Sequence, residues 1–383
     1  MRLKTVVKLG TVVSVVLFCI AVGYYAFMQL DAAGRNRDVN LFSLIPRTSA
    51  SVLESDNINA FLNELPMLNY GRELEKLQFP GLFSFLLNGL NEYTTATAHG
   101  LSSEMSRMAV SFHEPFTPRD QVVYFGMGTA DEKMLEAMLQ EYAPSDFLPK
   151  KEEYRGRPLV IYPLGTEEYL ASYSEEGFLV ISHQKRLIEQ VIDAKLDETS
   201  LSEDEVFSKI LLRKKSHNFL TLYSRSSAVP FLKLGDGCWS EYDFHTNSDV
   251  LYLTGETFMP DTCTCLSTLR DAKEKTSFYE AESIVFSNEK DSVPHYINKV
   301  YEDEETADRS LFSQCVANLS READYTLVAD MQKASLRPEA FGPYLPEFLR
   351  KRAPLFGSFI FSAQYSLDDD DRLSHIWIFT YKD

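Results

Sequence analysis

Cys263 and Cys265 stand two apart, and on an extended segment that spacing turns both thiols to one side. Thiolates so placed suit a soft metal, but a complete zinc set needs two more ligands at recognisable spacing, and none is apparent. A disulfide is the second reading. Cys238 precedes, and Cys263 or Cys265 follows, a hairpin that the sequence predicts between Trp239 and Glu256. Placing residue 243 opposite 252, an index sum near 495, brings the hairpin ends together. A bridge from Cys238 to either cysteine would close a loop of about 25 residues and add about 3 kcal/mol. Free thiols are the third reading, and the residues alone leave all three open.

The seven histidines are His99, His113, His183, His217, His245, His295 and His375. No two have the i, i+4 spacing that sets a metal pair on one helix face. His113 beside Glu114 falls where a strand gives way to a loop, with the two side chains pointing apart, so all seven are expected to be ordinary polar residues. Gly126-Met127-Gly128 lacks the third glycine of a dinucleotide loop and reads as a turn. There is no G-x-S-x-G elbow and no phosphate-binding loop. The acidic runs 302–305 and 368–371 have calcium-type oxygens but not the glycine-bearing spacing of an EF-hand, and are expected to be solvated turns. No catalytic, cofactor-binding or metal residue is therefore assigned.

The elements that would have to position such residues begin with an anchor. Residues 9–30 form a 22-residue run without a charge, which as a helix rises about 33 Å, enough to cross a bilayer core. Arg2, Lys4 and Lys8 precede it, so the expected orientation is N-terminus inside and body exported. The run is longer than the apolar region of a cleaved signal peptide, and the residues near Leu30-Asp31-Ala32 do not make a cleavage site. The net charge is −18, and the first thirty residues hold three basic and no acidic side chains, so the remainder carries −21. Such a body lacks the clustered Lys and Arg of a nucleic-acid surface, and anionic lipid repels it.

Residues 31–44 read as a polar linker. After it, alternating apolar residues predict strands over 49–53, 108–112, 121–125, 159–162, 169–173, 178–182, 219–223, 283–287 and 358–365 paired with 373–381. Helical spacing appears at 58–65 after Asp56, at 82–90, at 134–142 behind a Thr129/Glu132 capping box, at 187–192, at 206–211 behind a Ser202/Glu205 box, and at 293–300. Tight turns such as Glu175-Glu176-Gly177 imply antiparallel pairs. The expected fold class is α+β: a transmembrane helix (1–30), then two related units of antiparallel sheet packed with helices, 45–200 and 201–383. Their kinship is suggested by a strand–polar–short-helix pattern near 49–65 and 218–232.

Four segments carry a resemblance. They are Leu44-Ile45-Pro46 followed by the strand through Val52-Leu53; Tyr154-Arg155-Gly156 leading into 159–162; 169–173 with 177–182 and the helix 187–192; and Trp239-Ser240 with Tyr242-Asp243-Phe244 and 250–258. In these the chain resembles a bacterial membrane-anchored family of unknown function. The resemblance implies an anchored, extracytoplasmic α+β body of repeated units; with the anchor's orientation, the expected address is the bacterial inner membrane. It implies no reaction and no site residues.

The functional expectation is a non-enzymatic interaction or structural module of the cell envelope. It would have the membrane and an envelope protein as partners, and no nucleic acid or cofactor. Two alternatives stand beside it: an envelope hydrolase with a site outside the known motifs, and a carbohydrate- or peptide-binding module using aromatics around Trp239.

Overall fold

The structure, a computed structural model, describes residues 39–71, 107–128, 148–213, 220–225, 237–260, 279–287 and 311–382, with short breaks at 118, 165–167, 282–283, 321–322, 342–344, 347–348, 351–352 and 368–372. The expected anchor, the helices at 82–90, 134–142 and 293–300, and the Thr129/Glu132 box lie outside the described residues. Among the described residues no helix is long and apolar enough to cross a membrane.

The chain is mixed α+β, built on one antiparallel sheet of 15 strands. In chain order these are β1 (Ser51–Ser55), β2 (Met108–Phe112), β3 (Gln121–Gly126), β4 (Lys150–Tyr154), β5 (Arg157–Pro163), β6 (Tyr169–Glu175), β7 (Phe178–Ser182), β8 (Thr221–Ser224), β9 (Trp239–Thr246), β10 (Val250–Phe258), β11 (Tyr279–Ala281), β12 (Ile284–Ser287), β13 (Tyr325–Asp330), β14 (Phe359–Leu367) and β15 (Leu373–Tyr381). The order across the sheet is β11-β12-β13-β14-β15-β10-β9-β8-β1-β2-β3-β7-β6-β5-β4. Outward from the central β1·β8 pair it runs β1, β2, β3, β7, β6, β5, β4 on one side. On the other it runs β8, β9, β10, β15, β14, β13, β12, β11, the same winding with one more strand. Val52 opposite Tyr223 and Leu53 opposite Leu222 join the two halves.

Period-2 alternation divides the apolar residues between the faces. In the first half, α1 (Ile58–Glu64) places Ile58 on one face, and the opposite face gathers Val52, Tyr124, Tyr173 and Val180 beneath α2 (Lys185–Leu196) and α3 (Glu205–Arg213). Leu187, Ile188, Val191 and Ile192 are the buried stripe of α2, at the spacing an amphipathic helix requires. Phe207 of α3 sits at the seam, its ring 5.1 Å from Phe42, 5.1 Å from Tyr223 and 5.0 Å from Trp239. Burying a side chain of that size contributes about 2–3 kcal/mol. In the second half, Leu253, Phe361, Trp377 and Phe379 form the core under α5 (Met331–Leu336) and the turn Ala353–Phe356, while α4 (Leu311–Ala317) covers Val328 and Ile360 on the other face.

Several expectations are revised. Leu41, Phe42 and Leu44, read as linker, are buried in the first-half core, because a 3-10 turn over Leu41–Ser43 folds them under β3. The helix start expected at Asp56 is capped by Asn57, whose Oδ1 accepts from Ala60 N at 3.1 Å. The box expected at Ser202 is supplied by Asp204, whose Oδ1 accepts from Val206 N and Phe207 N at 3.1 and 2.9 Å. The β9–β10 hairpin pairs Asp243 with Thr254, two residues beyond the expected register, because Asn247 N donates to Val250 O and closes the turn tightly. A two-residue shift keeps every side chain on its expected face. β4 went unread: Lys150-Lys151-Glu152-Glu153 has no apolar alternation, as suits an edge strand whose charges discourage pairing with another chain.

Candidate functional site

The described residues that most resemble reactive chemistry meet where β2 ends. Ser111 and His113 are two apart, so strand alternation sends both side chains to one face. Ser111 Oγ lies 2.9 Å from His113 Nε2 and 3.0 Å from Tyr124 OH of β3. The loop 113–120 is tied at its base by His113 N donating to Asp120 O, and inside by Asp120 N donating to Thr117 O, both at 2.9 Å. Asp120 in turn accepts from Thr117 N at 2.8 Å and from the Gln184 side chain just past β7. The site is thus made by the β2·β3 and β3·β7 pairings, which carry Gln184 to a loop 64 residues away.

Burial sets its electrostatics. It pushes His113 down to about 4, with the Asp120 carboxylate pulling up and Arg186 pulling down, so the ring is neutral at pH 7. Burial pushes Asp120 up, but the hydrogen bonds from Thr117 and Gln184 outweigh it and hold the carboxyl below its ordinary value. Burial alone carries the Tyr124 hydroxyl well above the usual phenol range, against a small pull from Ser111.

A hydroxyl beside a neutral imidazole is the arrangement of an activated nucleophile. Here Ser111 is 0% exposed and His113 only 5%. The nearby surface dimple, lined by Arg119, Glu168, Tyr169 and His183, holds about 20 Å³, against about 300–1,000 Å³ for sites that enclose small molecules. Arg119 and Glu168 close over it at 2.6 Å, and His183 Nδ1 lies 3.3 Å from Tyr169 O. What the arrangement does is satisfy three buried polar side chains and hold the loop, whose Phe116 sits at φ 64 and is 59% exposed.

The remaining candidates are scattered. Cys238 is buried just ahead of β9, and Cys263 and Cys265 lie outside the described residues, so the candidate disulfide is not placed. His245 Nε2 lies 3.2 Å from Thr254 Oγ1, and His375 is in the second-half core. His99, His217, His295 and the acidic runs 302–305 and 368–371 lie outside the described residues. Met127 N bonds to Gly177 O, so the residue between the two glycines pairs with the β6–β7 turn. Trp239 is 0% exposed, with the Arg225 guanidinium 4.4 Å from its ring centroid, and Tyr242 is buried as well. A ligand-stacking surface on these two aromatics is thereby overturned: their rings are spent on the core. The Ser-x-His spacing on a predicted strand was the signal for the network; its Asp120 and Gln184 had none.

The fold that results is an α+β body on a single, wide antiparallel sheet. No family model matches the chain, so the motif-level resemblance to a membrane-anchored family gives no membership, and no curated protein matches it. Among solved structures, two crystal forms of the treponemal protein TP0453 are similar at 8% sequence identity. Form III covers 64% of this chain and 90% of its own with a TM-score of 0.32. Form I covers 63% and 87% with a TM-score of 0.31.

Proposed function

We propose that the chain is a single-pass inner-membrane protein of a bacterial envelope. Residues 9–30 span the bilayer, and the following residues form an extracytoplasmic body of two related sheet units. The body acts as a non-enzymatic interaction or structural module, with an envelope protein as its partner. The observation that carries the address is the 22-residue uncharged run behind three basic residues. The matching strand winding on either side of β1·β8 supports the two-unit reading. The burial of Ser111 and His113 speaks against their use as a hydrolytic pair.

Alkaline carbonate extraction with protease added to spheroplasts tests the address. The expected result is retention in the membrane, digestion of the body from the outer side, and release of the body once residues 1–30 are removed. A chain that extracts as soluble, or a body protected until the inner membrane is lysed, overturns it. A fluorophosphonate probe on intact membranes tests the hydrolase alternative: no labelling of Ser111 is expected, and labelling abolished by Ser111→Ala would restore that alternative.

A further inference from the structure

His375 lies mid-strand on β15, between Tyr365 of β14 and Gly255 of β10 in the sheet register. It takes an inward slot with Leu373, Trp377 and Phe379 and is 1% exposed. Neither ring nitrogen has a hydrogen-bond partner among the described residues. The ring lies against Tyr242 of β9 at 4.6 Å between centroids, and Trp377 is 6.3 Å away. Gly255 makes room for this. A Cβ there would come within 1.9 Å of the Glu241 carbonyl oxygen and 3.2 Å of His375 Nε2.

The groups facing the ring are therefore the Tyr242, Tyr365 and Trp377 side chains, the Gly255 backbone and the Glu241 carbonyl. The carboxylates of Glu241 and Glu256, each one residue from an inward neighbour, alternate to the opposite face of the sheet. A charged imidazolium in this place would meet aromatic rings and backbone, with no carboxylate among the described residues to accept hydrogen bonds from its two N–H groups.

We propose that His375 is an acid-sensitive pin: protonation of its ring is incompatible with the closed sheet, and releases β15 from β10 so that the second-half core opens. Burial pushes the ring down to about 3, against an opposing pull from the Glu241 carbonyl, which lies near without reaching hydrogen-bond geometry. Because the closed sheet holds the neutral ring, its contribution is complete above the unfolded value of about 6.5 and is lost as pH falls from there towards 3.

Amide hydrogen exchange on the full chain in detergent, compared as protection factors at pH 7 and pH 5, tests this. In the unsubstituted chain, amides of 251–258 and 373–379 are expected to lose about 25-fold protection from His375. In His375→Phe, or in His375→Gln should the larger apolar ring not fold, that loss disappears while the pH response around residues 113–120 stays. Protection in 251–258 and 373–379 that is flat with pH in the unsubstituted chain overturns the proposal, as does a loss that neither substitution reduces.

Discussion

His113 and His375 are both buried imidazoles, one in each half of the same sheet, and both are held neutral by burial. They differ in their company. His113 sits at a strand end, 2.9 Å from a serine hydroxyl, with Asp120 nearby and a hydrogen-bonded loop beside it. His375 sits in mid-strand among aromatic rings, with neither nitrogen bonded among the described residues. A buried polar group with its hydrogen bond made is nearly neutral for stability, whereas one without it costs about 1–3 kcal/mol. The first half thus uses its histidine to fix a loop. The second half carries one as a weak point in its core, so protonation is expected to act on a hydrogen-bonded loop in one place and on the mid-sheet core in the other.

The substitution that breaks the contrast most severely is Gly255→Ala. Its methyl would collide with the Glu241 carbonyl oxygen at 1.9 Å, and backbone cannot step aside as a side-chain tip can. A loss of about 3 kcal/mol or more is expected by chemical denaturation, concentrated in amides of β9, β10 and β15. Acidification comes next. With His113 pushed to about 4 and His375 to about 3, each removes about 2 kcal/mol between pH 7 and pH 5, stability being intact above about 6.5 and lost below it. Denaturation midpoints across that range check the sum. Midpoints that do not move would sink both histidines at once.

Ser111→Ala sharpens the contrast by making the first half resemble the second. It strips a partner from both His113 Nε2 and Tyr124 OH, so about 1–2 kcal/mol should be lost, together with protection in the 113–120 loop. The smallest effect belongs to Arg155→Ala. That guanidinium bridges Asp193 and Asp197 of the first half at 2.7 and 2.8 Å, but on the surface, where water screens the pairs. Its denaturation midpoint should stay within error of the parent chain, and a large shift would mean that the hairpin clasp on α2 matters more than its exposure implies.

Much of the strand framework was legible in the sequence, and the reason is burial. β2 and β7 occupy the residues expected of them, and the β14–β15 hairpin was read from alternation, since one period-2 face must be apolar. β4 was illegible because an edge strand has no core face to fill. The sheet order was illegible too: β3 pairs with β7 and β10 with β15 across long connections, and nothing local in 121–126 names 178–182 as its neighbour. The candidate site divides the same way. Ser111 and His113 share a strand and could have been linked by spacing, whereas Asp120 and Gln184 meet only through the fold. His375 was readable as an inward position between Leu373 and Trp377; its lack of a partner among the described residues depends on Gly255 and Tyr242, which come from other strands.

The most direct measurement is exchange of the imidazole C2 hydrogens of both histidines in one sample of the full chain, followed by mass spectrometry from pH 7 to pH 4. Both should exchange slowly and titrate well below 6.5, with His375 lower and slower than His113. An ordinary titration of His375 near 6.5 with fast exchange would mean that its ring meets water in the closed sheet, and would contradict the division between the two halves.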